Sequence, residues 1–300
     1  MLHERLETMN LDGDNLKISL QKKGRLAESS LAMLKSAGVE LEPSEGRLFA
    51  RARNFPLEVL FLRDDDIPEY VQDGITDLGI VGLNVLLEKG AQIAQLDYLG
   101  FGDCELCIAV PSKSPLRSVF DLSGHRIATS YPQILKRYLK EKRIDGKVIE
   151  ISGSVEITPS LDVADAICDL VSTGSTLRIH ELVPIEVVLK SEAVLVGHPS
   201  SLDDPAKRAL IDRLRARLRS HLLARKTKYV MMNAPEEALE EIQEILPGMK
   251  SPTVVPLARK GMIAVHTAVP EEFFWEVIEK LQGTGATDIL VVPVEKMVVS

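Results

Sequence analysis

Apolar positions in the first two hundred residues fall in short runs, separated by stretches where they recur every three or four positions. Leu16–Leu20, Leu57–Leu62 and Asp77–Val81 have the run length of strands. Residues 24–37 place Leu26, Leu31 and Leu34 on one helical face and stop at Gly38. Asp64-Asp65-Asp66-Ile67-Pro68 opens a helix to Gln72, because carboxylates suit a helix N-terminus and proline is tolerated in a first turn. Gly82-Leu83-Asn84 begins another helix. A second series follows, with strands at Cys104–Val110, Arg126–Thr129, Lys147–Ile151 and Asp165–Val171 and helices at Tyr131–Lys142 and from Ser175. Strands at Ile185–Leu189 and Ala193–Val196 are placed to run back to the first series. The pattern predicts an α/β chain of two lobes around a cleft, with ligand loops at the strand ends.

Residues 203–226 read as one long charged helix. Its Arg213, Arg215, Arg217 and Arg219 are spaced too closely to share a face, so a solvated helix explains them better than a phosphate site does. Beyond it the order changes to βαββαβ, with strands at 228–233, 253–257, 262–266 and 288–294 and helices at 235–246 and 270–281. That order predicts a ferredoxin-like module.

Composition narrows the function classes. The chain has 300 residues, 45% hydrophobic and 27% charged, enough for two or three globular domains. A net charge of −8 makes it a poor nucleic-acid or anionic-membrane binder, so a phosphate ligand must be held by local backbone donors, a few basic side chains or a metal. The start is polar and unlike a signal peptide, and no apolar run approaches the roughly 18 residues of a membrane span. Three cysteines give no disulfide framework, and a reducing cytoplasm fits them. Cys104 and Cys107, inside an apparent strand, read as core or half-buried thiols rather than a metal or redox pair.

The densest chemistry lies at Asp169–Leu177. A strand ends in a carboxylate, then Ser172, Thr173, Gly174, Ser175 and Thr176 lead into a helix. Unpaired N–H groups and hydroxyls at such a turn suit an anion, glycine permits close approach, and Asp169 is placed to accept from sugar hydroxyls. An ordinary capped turn fits the spacing equally well. Lys22-Lys23-Gly24-Arg25 at another strand end is either a phosphate grip or a basic surface turn. The Asp64–Asp66 carboxylates suit helix capping, a ligand or Mg²⁺. His266, on a strand face with Met262 and Ala264, reads as structural.

Taken in order, these segments resemble the ATP phosphoribosyltransferase family in its long form. The family signature is carried from Glu156 through Asp169 to Thr173-Gly174-Ser175-Thr176-Leu177. Lys23-Gly24-Arg25-Leu26, Arg63–Pro68, Asp77–Gly82 and Met231-Met232 add to the likeness, and one position departs, Asp162 standing where the signature usually has glycine.

The resemblance implies that ATP, through adenine N1, is joined to phosphoribosyl pyrophosphate. It implies that Asp169, catalytic, and Ser172–Thr176 hold the phosphoribosyl group. Lys22 or Lys23, Gly24, Arg25, Asp66 and Gly82 would meet the nucleotide or pyrophosphate, with Mg²⁺ travelling on the phosphates. Residues 1–101 and 185–225 would form catalytic lobe I and 102–184 lobe II, in the plan of periplasmic binding proteins. Residues 226–300 would form a regulatory domain that binds the inhibitor L-histidine, with Asn233, Thr253, His266 and Thr287 as candidates. The family's homo-oligomers are dimers and hexamers.

Overall fold

The computed structural model describes residues 15–42, 48–172, 174–246 and 252–298. Thr173 of the expected phosphate loop lies outside them. Two compact units form, the first running to Lys35 and from Val39 to Arg213, the second holding Leu214 onward with Ser36–Gly38.

The elements up to the long helix are, in order, β1 (Leu16–Gln21), α1 (Arg25–Ser36), β2 (Phe49–Arg51), β3 (Leu57–Leu62), α2 (Ile67–Gln72), β4 (Leu78–Gly82), α3 (Leu83–Lys89) and β5 (Ala94–Tyr98). Then come β6 (Cys104–Pro111), β7 (Arg126–Thr129), α4 (Pro132–Lys142), β8 (Lys147–Glu150), β9 (Ala166–Val171), α5 (Ser175–Ile179), β10 (Leu182–Ser191), β11 (Ala193–Gly197), α6 (Pro199–Asp203) and α7 (Pro205–Arg225). They build a sheet of order β2-β3-β1-β4-β11-β5 and a sheet of order β10-β6-β9-β7-β8.

Beyond β2 the two sheets share one plan. Three parallel strands, β3-β1-β4 or β8-β7-β9, meet an antiparallel strand, β11 or β6, and then an outer strand, β5 or β10. The antiparallel strand is reached by a crossing in each case. The chain passes from β5 to β6 through residues 99–103 and returns from β10 to β11 at Glu192. The crossings are bonded together: Leu99 N–H donates to Ala193 O at 3.0 Å, Ala193 N–H to Phe101 O at 2.8 Å, and Gly100 N–H to a Glu192 carboxylate oxygen at 2.7 Å. Gly100 (φ 64°) and Gly102 (φ 75°) supply the left-handed turns that the first crossing needs.

The expected strands and helices are present, with three corrections. Residues 185–191, expected in lobe I, belong to β10 and pair with β6 in the second sheet. Ile185, Val188 and Leu189 pack on that lobe's core, and the return to the first sheet comes only at Ala193. Strands β2 and β5 are additional to the expected elements; both are edges, and β5 in particular has no continuous apolar run. The helix expected at 203–226 is present as one helix but starts at Pro205, because Asp203 ends the short preceding helix and Asp204 caps the long one, its carboxylate accepting from Ala206 N–H at 2.9 Å and Lys207 N–H at 3.0 Å.

The second unit contains β12 (Thr227–Pro235), α8 (Leu239–Ile245), β13 (Thr253–Pro256), β14 (Met262–Pro270), α9 (Phe274–Gly283) and β15 (Thr287–Pro293). The sheet order β13-β14-β12-β15, antiparallel throughout, is the ferredoxin-like arrangement. Val230, Met232, Ile263 and Val265 bury one sheet face against Ile242, Val277, Ile278 and Leu281 of the helices.

Candidate active site

Parallel strands present their carboxyl ends at one edge of each sheet, and ligands collect there. In the first sheet Lys22–Arg25 follows β1, Arg63–Asp66 follows β3, and Gly82 ends β4. In the second, Tyr131 follows β7, Ser154–Ile157 lies beyond β8, and the Asp169–Leu177 segment closes β9.

A cavity of about 470 Å³ is lined by Arg25 from the first lobe and by Cys104, Glu156, Asp169, Ser172, Gly174, Ser175 and Thr176. Gly174 has φ 69° and stands at the start of α5, and a Cβ added to it would meet nothing within 4 Å, so its requirement is conformational. Because α5 has only five residues, the donor groups of its first turn matter more here than any dipole.

Asp169 is half-buried and accepts from Leu170 N–H at 2.8 Å. Burial raises its carboxyl above the ordinary range, the Leu170 bond opposes this, and the nearby Glu156 charge adds to it. Two carboxylates thus face one cavity, which suits sugar hydroxyls, and a ring of N–H and O–H donors beside them suits a phosphate.

The remaining candidates are distributed as follows. Arg25 reaches the cavity, whereas Lys22, Lys23, Gly24, Asp66 and Gly82 are not among its lining residues, although their loops share the sheet edge. Lys22 and Lys23 are exposed, and Lys22 N–H is bonded to Leu62 O at 2.8 Å. A second cavity, of about 370 Å³, is lined by Asp64, Asp65, Glu88, Lys89, Tyr131 and Glu150, among others. The sequence marks Tyr131 only as a tyrosine before a proline at a strand-to-helix turn. Glu156, the first residue of the signature, joins Asp169 at the first cavity.

Asp162 resolves its departure from the signature. It adopts φ 55°, the left-handed region glycine favours and aspartate tolerates, so the turn survives the replacement. Cys107 and Cys168 are buried core groups, whereas Cys104 is half-buried at the cavity wall, and burial raises all three thiols above their ordinary range.

In the second unit Asn233 is opposite Thr287, and His266 is opposite both Thr253 and Met231. Strand alternation puts these four candidates on the sheet face away from the helices. Asn233 Nδ2 donates to the Asp288 carboxylate at 3.0 Å, and His266 Nδ1 lies 3.4 Å from Tyr229 OH.

A sequence profile of ATP phosphoribosyltransferase matches residues 63–220, and one of the HisG C-terminal domain matches residues 224–296. An ATP phosphoribosyltransferase of Cytophaga hutchinsonii is 49% identical over 94% of this chain and 98% of its own length. One from Bacteroides thetaiotaomicron is 46% identical over 95% and 100%. Among solved structures, the ATP phosphoribosyl transferase (HisG:HisZ) complex from Thermotoga maritima superposes with a TM-score of 0.58 at 27% identity, covering 68% of this chain and 98% of that one. The chain belongs to the ATP phosphoribosyltransferase family, which catalyses the first step of histidine biosynthesis.

Proposed function

We propose that the cavity around Asp169 holds the phosphoribosyl group of phosphoribosyl pyrophosphate. The 5-phosphate lies on the Ser172–Thr176 loop and the ribose hydroxyls on Asp169. The observation that carries this is the convergence of Arg25 from one lobe with two carboxylates and a donor loop from the other on one cavity. In this reading residues 1–101 with the returning strand β11 form one catalytic lobe, residues 102–191 form the other, and 226–300 is the regulatory domain.

Adenine N1 carries its own lone pair, so attack at the ribose anomeric carbon needs no strong base. The C–O bond to pyrophosphate breaks as the N–C bond forms, with inversion. The ribose passes through an oxocarbenium-like state that the Asp169 and Glu156 carboxylates stabilise, and Arg25 faces the charge growing on pyrophosphate. Lys22 or Lys23, with Gly24, Asp66 and Gly82, would meet the nucleotide or pyrophosphate from the same sheet edge.

Magnesium would arrive with the pyrophosphate. Asp64 and Asp65 in the second cavity are hard oxygen donors of the kind that supply one or two of its ligands, the phosphates supplying others. When bound, the ion neutralises charge on the leaving group.

Histidine is proposed to inhibit through the second unit, at the helix-free face that carries Asn233, Thr253, His266 and Thr287. A homo-oligomer, dimer or hexamer, in the cytoplasm completes the reading. Among the described residues no helix is long and apolar enough to cross a membrane.

The test is formation of phosphoribosyl-ATP from the two substrates with magnesium, with and without histidine. Asp169→Ala is expected to lose about a hundredfold or more in turnover while remaining folded. A variant with normal turnover would remove Asp169 from the site.

A further inference from the structure

Asn84 is buried, 5% exposed, where three parts of the chain meet. It follows β4 in the first lobe; Tyr131 follows β7 in the second, and Ser191 ends β10 at the crossing. Asn84 N–H donates to Ser191 Oγ at 3.0 Å, and the Ser191 hydroxyl donates back to Asn84 Oδ1 at 2.8 Å. In this orientation of the amide the serine proton goes to Oδ1, and Nδ2 points the other way and donates to Tyr131 OH at 3.2 Å.

An amide N–H has no lone pair to offer. The phenol oxygen must therefore accept in that bond, and its own proton is left to point elsewhere. Burial above all, with the Asp169, Asp64 and Cys104 charges adding and the Asn84 bond opposing, pushes the Tyr131 phenol up to about 12, so it keeps that proton. Tyr131 also lines the second cavity, with Asp64, Asp65 and Glu150. Glu88, in the same wall, is occupied: its two carboxylate oxygens accept from Gln133 N–H at 2.9 Å and Ile134 N–H at 3.0 Å at the start of α4.

We infer that Asn84 is a positioning residue that turns the Tyr131 hydroxyl proton into the cleft, where it donates to an oxygen of the leaving pyrophosphate. The inference rests on the phosphoribosyl site proposed above, because β7 and β9, which lead into Tyr131 and Asp169, are neighbouring parallel strands. The acidic neighbours would repel a bare polyphosphate, so the acceptor is an oxygen of pyrophosphate whose charge magnesium already shares. A fixed donor aimed where negative charge develops acts on turnover more than on ground-state binding. Gly82 gains a role in this arrangement. A Cβ there would collide with Asn84 Oδ1, so glycine leaves room for the amide in the orientation Tyr131 needs.

The phosphates of ATP offer the same chemistry, and the experiment separates the two. Tyr131→Phe, Asn84→Ala and the double variant are compared in steady-state kinetics with each substrate varied. Binding of magnesium pyrophosphate, ATP and ribose 5-phosphate is measured by calorimetry. Tyr131→Phe is expected to lower kcat about tenfold to hundredfold and to weaken pyrophosphate. ATP and ribose 5-phosphate should bind as before, and Asn84→Ala should add nothing once the phenol is gone. Should Asn84→Ala fail to fold, Ser191→Ala takes its place in the cycle. Unchanged kcat in Tyr131→Phe, weakened ATP in place of pyrophosphate, or additive losses would each overturn the inference. Ribose 5-phosphate binding that is indifferent to Asp169→Ala would instead overturn the assignment of this cavity to the phosphoribosyl group, on which the inference rests.

Discussion

Arg126 grips Asp162 twice, donating to its backbone carbonyl at 2.7 Å and to its carboxylate at 2.9 Å. The same guanidinium bonds the Asp165 carboxylate at 2.9 Å and 3.3 Å. The start of β7 is thereby tied to the turn between Glu156 and β9, one residue of which sits in the left-handed region. Glycine would satisfy that backbone without strain, whereas aspartate tolerates it and adds the ion pair.

Two substitutions separate those contributions. Asp162→Gly keeps the backbone and loses the carboxylate; Asp162→Ala loses the carboxylate and strains the backbone. Asp162→Ala is expected to be less stable than Asp162→Gly by about 1 kcal/mol, the cost of a Cβ at positive φ. Urea unfolding of the two variants checks the order.

The Arg126 cluster also carries a pH signature. The side-chain bond from Arg126 comes first among the causes that hold the Asp165 carboxyl below its ordinary range. A depressed carboxylate contributes stability that is present above its unfolded pKa and lost as pH falls through the folded value. Arg126→Met should therefore be less stable than the parent at pH 7, with the gap closing below about pH 4. A constant gap across a pH series of urea midpoints would show that packing, not charge, holds the turn.

Asp169 has the opposite sign. Its carboxyl is raised, so ionising it costs the folded protein stability as pH rises through that value. Asp169→Asn is expected to melt no lower than the parent at pH 7 while losing turnover. Because the Glu156 charge adds to the elevation, Glu156→Gln should move the acid limb of kcat/KM for phosphoribosyl pyrophosphate to lower pH. A limb that stays put would remove Asp169 as the titrating group.

Two glycines near the cleft should respond differently to the same change. At Gly174 alanine meets open space and suffers only from φ 69°, so Gly174→Ala should cost about 1 kcal/mol of stability and raise KM for phosphoribosyl pyrophosphate. At Gly82 the added methyl collides with the Asn84 amide, so Gly82→Ala should reproduce the kinetics of Asn84→Ala. Kinetics that separate Gly82→Ala from Asn84→Ala would free Gly82 from the Asn84 network.

Local order determined much of this protein. Strand–helix alternation, the βαββαβ tail, the turn at Gly174 and the carboxylate in the last half of β9 all depend on residues near one another in sequence, where apolar spacing, glycine and capping chemistry act. Edges such as β5 bury too little to leave an apolar run, so they escaped. What only the tertiary structure decided are meetings across long separations. β10 joins the second sheet because its half-buried side chains complete that core, although its sequence suits either sheet. Arg25 and Asp169 line one cavity because two lobes turn matching strand ends to it. Asn84 finds Ser191 and Tyr131 only once both crossings are made, and a hydrogen bond between residues so far apart leaves no periodicity for a sequence to show.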